Sequence, residues 1–79
     1  MDAHNLLSRI VIDPNICHGK PVVRGLRYTV QSILELLASG MTYDEIISDF
    51  EDLEVEDFRA CLLFAARMAD VKSISNLVA

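Results

Sequence analysis

With 79 residues, 52% of them hydrophobic, the chain has room for a single domain over residues 1–79 and too little length for a second core. Its net charge of −5 divides unevenly, +2 over residues 1–30 and −7 over residues 31–79, so any phosphate contact is confined to the N-terminal third. No apolar run approaches the about 18 residues of a membrane span and no basic start leads into an apolar centre, so a cytoplasmic protein without membrane contact is expected.

In chain order, residues 1–8 carry no strong signal and read as a frayed end, open to ordering by a partner. Arg9-Ile10-Val11-Ile12, stopped by Asp13-Pro14-Asn15, predicts a strand and a turn. The stretch 16–29 is too broken by Gly19, Pro21 and Gly25 for a helix. Val22-Val23 and Arg27-Tyr28 suit short extended pieces, and a small sheet or ribbon is the expected product.

Three helices are expected next. Thr29 caps the first, whose apolar stripe is Val30, Ile33, Leu34 and Leu37 and which Gly40 ends. Thr42 caps the second, with Glu45 at the spacing of a capping box and Tyr43, Ile46, Ile47 and Phe50 on one face. The third carries two adjoining stripes, Val55, Phe58, Leu62, Ala65 and Ala69 beside Cys61, Phe64 and Met68. Two helices joined by a short acidic bend suggest a helix-turn-helix. Beyond Asp70, Val71, Ile74, Leu77 and Val78 sit at loosely helical spacing in a tail over residues 70–79.

The phrase Gly19-Lys20-Pro21-Val22-Val23-Arg24-Gly25, within the run from Arg9 to Tyr28, resembles the small prokaryotic family called domain of unknown function 433. The resemblance continues through Val30–Leu37, Gly40-Met41-Thr42, Glu45-Ile46, Leu53 and Glu56-Asp57, and covers residues 9–69. It implies a mainly α fold, with a short N-terminal β segment followed by a three-helix, helix-turn-helix-like domain of homeodomain-like or winged kind. It also implies a genetic role beside PIN-like toxin nucleases, as antitoxins of the VapB kind. The chain departs from the family pattern at Leu26, where Thr usually stands, and at Glu54, where Thr or Ser commonly opens the last helix.

Three carboxylates, Glu54, Glu56 and Asp57, occupy the start of the last helix, where they suit the positive end of the helix dipole and repel phosphate. Contact with nucleic acid or a partner is therefore assigned to Arg9, Lys20, Arg24 and Arg27. Two readings stand for these residues. They contact operator DNA as a paired ribbon, or Arg24 and Arg27 pair with the acidic helices and hold the ribbon against them. Under the implied antitoxin role, an inserted Arg would neutralise the clustered carboxylates of a nuclease. The expected function is that of a non-enzymatic antitoxin-like protein that binds a PIN-like toxin, with repression of its own operon as a further expectation; the runner-up is a helix-turn-helix-like DNA-binding regulator without a toxin partner.

No enzyme, cofactor or metal is expected. Cys17, His18, His4 and Cys61 lack the paired spacing of a closed zinc site. Adjacent Cys17 and His18 on extended backbone point apart, with Cys17 the more buried. The acidic residues of 44–57 read as a solvated face, and the glycines match no phosphate-loop pattern. The apolar surplus on the last helix predicts a homodimer, with Leu63, Phe64 and Met68 in its interface.

Overall fold

The computed structural model describes residues 3–70, with the side chain of residue 4 excepted. The protein is mainly helical, with a short antiparallel sheet near its N-terminus: α1 (Ala3–Leu7), β1 (Ile10–Val11), β2 (Val22–Val23), α2 (Val30–Ala38), α3 (Tyr43–Asp49) and α4 (Val55–Ala69). The first strand, the Val22-Val23 piece of the ribbon and the three helices are present as expected, whereas Arg27-Tyr28 forms no strand and Cys17 and His18 leave the extended backbone expected of them. The tail with Val71, Ile74, Leu77 and Val78 lies outside the described residues.

One element was not expected. Residues 3–7 form α1 and pack against α4 instead of fraying. So short a helix has no stability of its own, and it persists because Leu6 and Leu7 are half-buried there. The ordering surface that the N-terminus needs is supplied by its own chain.

The β connection is compact because it turns twice through left-handed backbone. Asp13 accepts from the Asn15 and Ile16 amides, and Cys17, His18 and Gly19 then all take positive φ (49°, 58° and 81°). Lys20 N–H closes this turn on the Cys17 carbonyl at 3.2 Å. β1 pairs with β2 in the register Ile10 to Val23 and Val11 to Val22. A second turn follows, in which Leu26 N–H donates to the Val23 carbonyl at 2.8 Å while Arg24 and Gly25 sit at φ +49° and +75°. Positive φ at both central positions is the type I′ pattern, which tolerates Gly readily and Arg poorly. A bridge from Val22 to Thr29 and a bond from Val30 N–H to the Pro21 carbonyl deliver the chain into α2.

Each later helix opens at the predicted place. Thr29 Oγ1 accepts from Ser32 N–H at 3.1 Å, and Thr42 with Glu45 forms the reciprocal capping box. α2 ends in a Schellman arrangement: Gly40 N–H bonds the Leu37 carbonyl and Met41 N–H the Leu36 carbonyl. Gly40 takes φ +100° to make this possible.

The core gathers Val23, Val30, Ile33, Ile46, Leu53, Cys61 and, at its centre, Phe58. Tyr43 stacks on Phe58 at 4.5 Å between centroids, and Tyr28 meets Phe50 edge-on at 5.5 Å. α4 divides differently from its predicted stripes. Phe58, Ala60 and Cys61 are buried, whereas Leu62 is 45% exposed. The inward face thus runs through Cys61, because α1, α2 and β1 all pack on α4 and rotate its contact surface away from Leu62.

Candidate interaction site

The start of α4 is built around one carboxylate. Glu54 is extended, and its N–H, left without an intrahelical acceptor, donates to Asp57 Oδ2 at 2.8 Å. Asp57 is fully buried, contrary to its sequence assignment to a solvated face. Arg24 approaches it as a fork, Nε to Oδ1 at 3.0 Å and Nη2 to Oδ2 at 2.8 Å. Arg9 Nη1 adds a bond to Oδ1 at 3.0 Å and a second to Glu54 Oε1 at 2.9 Å. Arg24 Nη2 also donates to the Asp52 carbonyl. Both arginines reach the same acid because Arg24 N–H is itself bonded to the Arg9 carbonyl across the ribbon.

The electrostatics follow from this packing. Burial pushes the Asp57 carboxyl upward, but the Arg24 fork, the Glu54 amide and the Arg9 bond outweigh it and hold it below the usual carboxylate range. The two guanidiniums are raised in turn, Arg9 mainly by its bond to Glu54 and Arg24 mainly by its bond to Asp57. Among the described residues no buried side-chain nitrogen or oxygen lacks a partner. The node ties the ribbon to the helix, and both oxygens of its buried carboxylate are engaged.

The four basic residues assigned to contact therefore do not form one patch. Arg9 and Arg24 are committed to Asp57, with side chains 27% and 32% exposed. Lys20 and Arg27 are exposed and carry no ion pair among the described residues. Arg27 stands at the edge of a depression of about 230 Å³ floored by Ile33, Leu36, Phe50 and Leu53. The pairing of the ribbon with the acidic helices holds for Arg24 and for Arg9, but not for Arg27.

The three residues assigned to a dimer interface also separate. Phe64 is half-buried and Met68 is 56% exposed. Both line two apolar troughs, one of about 630 Å³ against α2 with Pro21, Val30 and Leu34, the other of about 400 Å³ with Leu7, Ile10 and Ile12. Leu63 is half-buried and lines neither.

Sequence reasoning missed Asp57 as the organising acid and the second trough. The first had a signal, since Glu54 and Asp57 have the same three-residue spacing as the Thr42 and Glu45 box. The second had none, because it exists only where α1 and β1 meet α4.

Comparison with known proteins gives a family match. Residues 10–65 fit the model of a family described as "Protein of unknown function (DUF433)". No curated protein and no solved structure matches the chain.

Proposed function

The chain belongs to the DUF433 family, and from that membership we propose that it is a non-enzymatic, antitoxin-like interaction protein that binds a PIN-like toxin nuclease. The observation that carries the reading is the commitment of Arg9 and Arg24 to Asp57. It turns half of the cations that a DNA-reading ribbon would need onto a buried carboxylate of the same chain and ties the ribbon to the acidic start of α4. What the surface offers instead is apolar ground around Phe64 and Met68 and the isolated cations Lys20 and Arg27. Such a mixture suits a protein partner better than a polyphosphate. Arg27, beside an apolar depression and without an acid of its own, is the side chain best placed to meet a nuclease's carboxylates.

Co-purification of the tagged protein from its native host, followed by mass spectrometry, tests this. A small nuclease-like protein recovered in near-equal amount, and lost from Arg27→Ala, is the expected result. Recovery of duplex DNA without such a protein, with salt-sensitive binding that Lys20→Ala and Arg27→Ala abolish, would overturn it in favour of a DNA-binding regulator that lacks a toxin partner.

A further inference from the structure

We infer that the C-terminal half of α4 is the interface of a two-fold homodimer, in which each copy's Phe64–Met68 ridge lies in the trough between the other copy's α2 and α4. Phe64 and Met68 line both troughs, so they form a crest with an apolar depression on either side. A crest next to a trough on one face is self-complementary, which is the requirement of an isologous contact.

The arrangement also determines what else meets. If α4 of one copy enters the α2/α4 trough of the second, and reciprocally, the helices order as α2, α4 of the partner, α4, α2 of the partner. The outer side of each α4, where Leu7, Ile10 and Ile12 line the second trough, then receives the partner's α2. Both depressions are filled by one operation, and Ile12, 63% exposed in the single chain, gains cover.

Charge agrees with this order. Arg67 borders the second trough, and Glu35 is the one acid of the first, which Lys20 also lines, so the two-fold brings Arg67 of each copy to the other copy's α2, where Glu35 is its complement. Size agrees as well. Sixteen residues line the two troughs together, most of the about 20–30 that one side of a standard interface uses.

The test is sedimentation equilibrium of the full-length protein over a concentration series, with three kinds of variant. The expected mass is twice that of the chain. Met68→Glu, at an exposed position that leaves the fold intact by circular dichroism, is expected to raise the dimer dissociation constant about 100-fold. Leu62→Glu, on the exposed face outside both troughs, leaves it unchanged. Glu35→Arg and Arg67→Glu each weaken the dimer, and the two together restore it, which simple loss of folding would not do.

A chain monomeric throughout the series overturns the inference and leaves the trough to residues 71–79 or to a different protein. A dimer indifferent to Met68→Glu overturns it too, as does a charge swap without rescue. The outcome is separable from the nuclease reading. A monomer that still captures the nuclease ends the dimer alone, and a dimer that captures none ends the antitoxin role alone.

Discussion

Asp57 shows how much one residue can organise. Its two oxygens accept four hydrogen bonds, from Arg9, twice from Arg24 and from Glu54 N–H, so the ribbon, the approach to α4 and its first turn are fixed by the same group. Removing the charge weakens the bonds from both guanidiniums, and Asp57→Asn is expected to destabilise the fold by about 1.5–3 kcal/mol, read by urea denaturation. The arginines are unequal. Arg24 makes a fork from a left-handed backbone position, whereas Arg9 divides its bonds between Asp57 and the exposed Glu54. Arg24→Ala should therefore cost about 1–3 kcal/mol and Arg9→Ala less, while Arg24→Lys, lacking the fork, falls between wild type and Arg24→Ala.

The pH dependence has a definite sign. Asp57 is held below its ordinary value in the folded state, so its contribution is complete above the unfolded carboxylate pKa of about 3.9 and is lost as pH falls through the folded value. Glu45, lowered mainly by the Thr42 amide, acts in the same direction. Thermal unfolding followed downward from pH 6 should show a falling midpoint below pH about 4, with a shallower fall in Asp57→Asn. An unchanged slope in that variant would deny Asp57 this role.

The elements of this chain are short and depend on their ends. α2 has nine residues and α3 seven, lengths at which an isolated helix does not persist, so caps and packing decide their stability together. Gly40 at φ +100° has open space where a Cβ would stand, which makes Gly40→Ala a clean probe of backbone strain. It should lower stability by about 1–2 kcal/mol, equivalent to roughly 4–16 °C in the unfolding midpoint of so small a domain. Thr29→Ala removes the α2 cap and should cost about 1 kcal/mol. α4 is different in kind. It is the one long helix among the described residues, it receives α1, α2 and β1, and its inward face carries Phe58 and Cys61.

At the scale of the whole molecule, the two cysteines report the core from opposite sides. Both are free thiols. Burial, with the charge of Asp57, pushes the Cys61 thiol up to about 12, so it is both inaccessible and unreactive while the protein is folded. Cys17 is half-exposed, its Sγ 3.7 Å from the Arg27 carbonyl. A thiol reagent at neutral pH is expected to label one cysteine in the native protein and the second only on unfolding. Rapid labelling of both would show that α4 leaves the core readily.

Local chemistry set much of this architecture in advance. The caps at Thr29 and Thr42, the stop at Gly40, the turn after Ile12 and the helical spacing of apolar residues depend on groups within a few positions of each other, and all appear in the structure. The acidic start of α4 was equally legible, because charge on a helix terminus acts within a turn. Three features depended on distant partners and were decided only in three dimensions. α1 is a helix because α4 gives Leu6 and Leu7 somewhere to pack. Asp57 is buried because a left-handed Arg24, 33 residues away, carries its guanidinium down onto it. Leu62 is exposed and Cys61 buried, because the rotation of an apolar helix is set by the neighbours that surround it and by no periodicity of its own.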